Sequence, residues 1–161
     1  MIRWTGRESP VPAERARGPQ RMSIREAQTR PSPAEENRSL AEKSWEAVSR
    51  SDVAGIQKLW SPEIEWHATG RSTPWSGDHR GTADVMDHLA RIGESVEIFD
   101  ARLEDILVSD RFFAYLVRVH ARHGERVLEV HYQLLCRVEE GLIREVWTLP
   151  LDPGALMAFW D

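Results

Sequence analysis

Two ionisable side chains sit where acid–base chemistry would need them, His67 and Glu145. His67 shares a strand face with Glu65 and Thr69 and precedes a glycine, Gly70. A neutral imidazole beside an apolar pocket accepts a proton near neutral pH, the property of a general base. Glu145 is flanked at strand spacing by Ile143 and Trp147. Burial there would raise its pKa and make it an acid or a donor to substrate, unless Arg102 or Arg118 pairs with it. Aromatic and apolar positions at Trp66, Trp75, Tyr115, Tyr132, Leu134 and Trp147 could wall a pocket for a flat hydrophobic molecule, or simply be core. Trp75 falls in a loop, where an aromatic suggests ligand contact or a lid.

Other chemistries find less support. Asp78, His79 and Asp87-His88 resemble metal ligands only at first sight, because adjacent helical residues diverge and no H-x-x-x-H or 2-His-1-carboxylate spacing occurs. His120 and His131 share a strand face but are separated in register. No metal and no cofactor are therefore expected. Gly70, Gly77 and Gly81 are not spaced as a phosphate loop, and no serine lies on a nucleophile elbow.

Composition sets wider bounds. The 161 residues suit one domain with a real core, at 41% hydrophobic and 29% charged. The single cysteine, Cys136, excludes an intramolecular disulfide framework, so a cytoplasmic setting is the expectation. No apolar run reaches the ~18 residues of a membrane span. Residues 1–30 hold seven Arg against three Glu, a net of +4, which leaves −9 on the remainder. An acidic body argues against nucleic acid as a partner. Residues 1–31, basic and Pro-rich, read as a disordered extension, and Met22 offers an alternative start. Residues 32–161 form the domain.

The elements follow from local signals. Ser32-Pro33-Ala34-Glu35 is a capping box with proline at N1, opening a helix to about Arg50. A second helix spans Val53 to Trp60, and Pro62 closes it. Glu63 to Thr69 alternates as a strand. A polar loop over 70–81 leads to a third helix, Thr82 to Ile92. Strands are expected over 96–108, 111–122, 125–138 and 142–149, with turns at His123-Gly124 and Glu140-Gly141. Asp152-Pro153 opens a last helix to Trp160. A two-residue first turn sets Arg118 opposite Glu129 and Leu116 opposite His131. It gathers Phe113, Tyr115, Val117, Tyr132 and Leu134 on one face, and Arg118, His120, Glu129 and His131 on the other. A two-residue second turn pairs Val138 with Ile143 and puts Ile143, Glu145, Trp147 and Leu149 on the apolar face; a one-residue slip would reverse this for Glu145 and Trp147. Helices ahead of a long-stranded antiparallel sheet indicate α+β.

Two stretches resemble the SnoaL-like branch of the NTF2-like superfamily: Trp66-His67-Ala68-Thr69-Gly70 through Gly77-Asp78-His79-Arg80-Gly81, and Glu140-Gly141-Leu142-Ile143-Arg144-Glu145-Val146-Trp147. With the helix pair, the match covers roughly 33–161. The resemblance implies a cone-shaped α+β barrel, cystatin-like, with helices on the concave face of a curved antiparallel sheet, an enclosed pocket and a homodimer formed through the sheet. It also implies cofactor-free acid–base chemistry on a small hydrophobic molecule, of isomerase, cyclase or dehydratase type. Aligned on Gly70 with ketosteroid isomerase-like members, the general-base carboxylate falls at His67, the oxyanion tyrosine near Ser44 and the protonated aspartate at Leu134. Loss of both oxyanion donors argues against a steroid isomerase of the usual kind. Where many cyclases read E-H-W-D, this chain has Glu145-Val146-Trp147-Thr148. The expected function is a pocket protein using His67 and Glu145; the alternative is a non-catalytic ligand-binding or dimerisation module.

Overall fold

The computed structural model describes residues 30–69 and 73–161. The expected extension over 1–31 therefore lies, but for its last two residues, outside the described residues. Four helices and six strands follow in the order α1 (Pro33–Ser49), α2 (Val53–Leu59), β1 (Trp60–Ala68), β2 (Gly77–Arg80), α3 (Thr82–Glu94), β3 (Ile98–Val108), β4 (Phe112–His123), β5 (Arg126–Glu139), β6 (Leu142–Pro150) and α4 (Pro153–Trp160). None of these helices is long and apolar enough to cross a membrane.

Capping explains where the helices begin. At α1, Ser32 Oγ accepts from the Glu35 amide while Glu35 Oε2 accepts from the Ser32 amide at 2.7 Å, closing the capping box. Asp52 and Asp152 accept from the amides of Gly55 and Ala155, each at 2.9 Å, to start α2 and α4. At α3 the cap is Gly81 at φ 81°, where a side chain would be strained.

The sheet is curved, mixed and open, in the order β2-β1-β6-β5-β4-β3. Expected as antiparallel throughout, it contains one parallel pair: β1 runs alongside β6, with Trp66 beside Val146 and His67 beside Trp147. β2 was expected as loop; its four residues are short and polar, yet they pair with the β1 edge, Trp66 facing His79 and His67 facing Asp78. The first hairpin turns at Gly124-Glu125, one residue later than expected. Arg118 consequently pairs with His131. That even-numbered shift leaves both faces as expected.

The second hairpin departs further. Val138 pairs with Ile143 as expected, but Arg137 then pairs with Glu145, so Arg144 is an extra residue and β6 carries a bulge. The bulge turns both Ile143 and Val146 inward, 1% and 2% exposed. Straight alternation would have buried the Glu145 carboxylate among apolar side chains, which costs several kcal/mol more than burying valine. Glu145 and Trp147 are thus corrected to the outer face.

The helices cover the other, concave face. Ala41, Ile56, Ile64, Phe113 and Leu156 form the middle of the core. α1 is tied down where it crosses the sheet: Tyr115 Oη donates to the Ala41 carbonyl at 2.7 Å and Asn37 Nδ2 to the Ser109 carbonyl at 2.8 Å.

Candidate functional site

Two groups of functional side chains result, one on each face of β1, and strand alternation separates them. On the outer face, His67 is clamped between carboxylates. Its Nδ1 lies 2.8 Å from Asp78 Oδ1, and its Nε2 lies 3.1 Å from Glu145 Oε1. Glu145 Oε2 in turn accepts from Arg137 Nε at 2.8 Å, and the Trp147 ring stacks on the imidazole at 5.7 Å. Partial burial works against charge on His67, but the hydrogen bonds that Asp78 and Glu145 accept from its ring outweigh it and raise the pKa above 6.5. Only the protonated ring can donate to both carboxylates, so the clamp favours imidazolium. The expected pair of His67 and Glu145 does meet, as an ion-pair chain that also takes in Arg137.

The same face brings donor atoms of Glu65, His67 and Glu145 within 4.8 Å of one another. Sequence spacing gave no hint of this set, because the parallel register sets Glu65 beside Glu145. Those three could ligate a divalent ion in principle. Arg137 on Glu145 and Arg80, 3.8 Å from Glu65, already balance the carboxylates.

On the concave face lies an apolar cavity of ≈ 160 Å³. Trp45 and Val48 of α1 close one side, and Val117, Tyr132 and Leu134 of the sheet close another. Trp66 and Thr148 reach it from the parallel pair. Trp75, 6% exposed, is a fixed wall and no loose lid: its Nε1–H donates to Ser95 Oγ at 2.8 Å, and its ring packs edge-on against Phe99 and Trp160, each at 5.5 Å. Tyr115 instead lines a second, smaller hollow of ≈ 40 Å³ together with Trp66, Leu134 and Ser44. Ser44, at the position aligned with the oxyanion tyrosine, is occupied by a hydrogen bond from Trp60 Nε1 at 2.9 Å. Of the expected pocket residues, Trp66, Trp75, Tyr132 and Leu134 thus share the cavity, whereas His67, Glu145 and Trp147 do not line it.

The lining also contains His88, which the sequence reading passed over as one half of a metal-like Asp87-His88 pair. Its signal was available: His88 falls at helical spacing with Val85 and Ile92, on the apolar face of α3. Only 1% exposed, it stacks on His79 with ring centroids 4.0 Å apart. Burial, and then the charges of His79 and Arg91, push its pKa down to about 4 against the opposing pull of Asp84. His88 is therefore neutral at pH 7. Burial likewise holds the Tyr132 hydroxyl well above its ordinary value.

Relatives share this architecture. Residues 41–146 match the SnoaL-like domain family. An uncharacterised protein of Mycobacterium tuberculosis, MT0039, is 26% identical over 126 residues, covering 75% of this chain and 93% of its own. Among solved structures, Bal32a from a soil-derived mobile gene cassette is 25% identical with a TM-score of 0.72, over 80% of this chain and 99% of that one. A protein of unknown function with a cystatin-like fold from Xanthomonas campestris is 28% identical with a TM-score of 0.66, over 76% and 96%. With its β1-to-β6 domain matched through most of its length and its fold shared with these solved structures, the chain belongs to the SnoaL-like domain family.

Proposed function

We propose that the protein binds a small hydrophobic molecule in the cavity between helices and sheet, without a cofactor. The cavity itself carries this reading. Protein interiors pack densely, with few voids larger than a water molecule. A hollow of ≈ 160 Å³ walled almost wholly by apolar side chains instead leaves apolar surface for a hydrophobic molecule to cover. A molecule that fills it removes that surface from water. Substituting Leu134→Trp should fill it from the wall. Saturation-transfer NMR should then show ethylbenzene bound by the wild-type chain and not by the variant, with both folded. Lack of uptake by the wild type would remove the proposal.

Acid–base chemistry on the bound molecule is a second reading, favoured by His88 in the lining. A neutral imidazole beside an apolar cavity can polarise a carbonyl or accept a proton, although a pKa of about 4 makes it a weak base at neutral pH. His67 and Glu145, on the outer face, would act only on a molecule outside the cavity. Proton abstraction from an activated benzisoxazole, followed across pH 5 to 9, separates these roles. On this reading the rate above background disappears in His88→Gln and persists in His67→Gln.

A further inference from the structure

The outer face of β1 and β6 gathers a second set of groups, apart from the cavity. Donor atoms of Glu65, His67 and Glu145 lie within 4.8 Å of one another there. Strand alternation puts Glu65 and His67 on one side of β1, and the parallel ladder sets Glu145 beside Glu65. All three keep a path to solvent, with the side chains of Glu65, His67 and Glu145 42%, 29% and 17% exposed.

Supporting contacts fix the donor atoms without using them up. Asp78 Oδ1, 2.8 Å from Nδ1 of His67, accepts the N–H on that side of the ring and so leaves Nε2 as the ligating nitrogen. Trp147 stacks on the imidazole and sets its plane. Arg137 Nε holds Glu145 Oε2, which leaves Oε1 turned toward His67 Nε2 at 3.1 Å. Two lone pairs at that distance repel unless a cation lies between them. A proton on Nε2 fills that role in the clamp described above. A metal ion can take its place, the proton leaving to solvent. Zinc bonds of about 2.0–2.2 Å set neighbouring ligand atoms about 3.0–3.6 Å apart, which is the spacing this pair already has. Arg80, 3.8 Å from Glu65 and exposed, is a weak competitor, because ion pairs at the surface contribute little.

The donor set selects the ion. One imidazole nitrogen with two carboxylates suits zinc and its first-row neighbours, whereas magnesium and calcium prefer oxygen alone. Three protein ligands leave a further place for water, as in open zinc sites. We propose that Glu65, His67 and Glu145 form a site for a divalent first-row metal ion, zinc being the simplest case, with Asp78 as the carboxylate that orients the histidine. The site is separate from the cavity and does not depend on what fills it.

The test titrates the full-length chain, stripped with EDTA and returned to buffer without it, with zinc chloride at pH 7.5 by calorimetry. Magnesium chloride is the oxygen-preferring control. One zinc ion per chain should bind, at least about tenfold more tightly than magnesium. Glu65→Gln, His67→Gln and Glu145→Gln should each weaken zinc binding at least about tenfold, and Asp78→Asn about tenfold through loss of the orienting bond. His131→Gln, which removes another carboxylate-paired histidine of the outer face, should leave the affinity unchanged. Absence of zinc uptake, uptake unchanged in any of the three ligand variants, or magnesium bound as tightly as zinc would overturn the proposal. So would a loss in His131→Gln equal to that in His67→Gln, since it would mark scattered surface histidines. Wild-type affinity in Asp78→Asn would overturn the orienting role. Glu65→Gln, an isosteric change at a partly exposed position, keeps the test decisive where His67→Gln fails to fold.

Discussion

Two histidines of this domain respond to acid in opposite directions. His88 is held neutral, with its pKa moved from 6.5 down to about 4. Between those values the unfolded chain binds the proton more tightly, so stability is complete above pH 6.5 and falls as pH drops toward 4. That difference is worth roughly 3 kcal/mol. Urea unfolding should show His88→Leu losing this acid sensitivity. His67 is the reverse case: its pKa is raised, so its contribution is complete below 6.5 and is lost as pH climbs through the folded-state value. The stability gap between wild type and His67→Gln should accordingly be wider at pH 5.5 than at pH 8.5. Only part of this was legible. That His67 and Glu145 are ionisable groups on strands was legible, but their meeting depends on the pairing of β1 with β6, and the face they share depends on Arg144. His88 escaped notice because its neighbour, Asp87, made the pair look like a surface site, whereas its helical period with Val85 pointed inward.

At the scale of the element, β6 decides which side chains meet. An expectation of unbroken alternation makes Trp147 core and Val146 exposed; the bulge exchanges them. Val146→Asp should therefore cost at least about 4 kcal/mol or prevent folding, since it buries a carboxylate without a partner. Trp147→Asp should cost markedly less, because that side chain only stacks on His67 at the outer face. Thermal denaturation of both variants checks the order, and the opposite order would restore straight alternation. Caps were readable from sequence because each is a local exchange of hydrogen bonds, as Ser32 with Glu35 shows. The turn at Gly124-Glu125 was misplaced by one residue with no consequence for the faces. A bulge leaves no comparable local mark: only the three-dimensional competition between burying Val146 and burying Glu145 selects it.

For the whole molecule, the α+β class was legible from three amphipathic helices followed by long alternating strands, and the pairing of β1 with β6 was not. Nothing near Trp66 in the sequence signals that its neighbour is Val146. We expect residues 32–161 alone to unfold at the temperature of the full chain, as calorimetry would show, because the core described above draws on that span. The polar outer face around Arg118, His120 and Glu129 is where the expected homodimer would form; Arg118→Glu should then convert a dimer to a monomer in analytical ultracentrifugation. The parallel pair also has a kinetic consequence. His67 and Glu145 stand 78 residues apart, so joining their strands closes a long loop, whereas β3 to β6 form by successive hairpins of low contact order. The hairpin sheet should assemble first and β1 dock last. Since Trp66 and Thr148 complete the cavity wall only at that step, refolding protein should regain most of its circular dichroism before it can take up ethylbenzene, with uptake following the slowest phase.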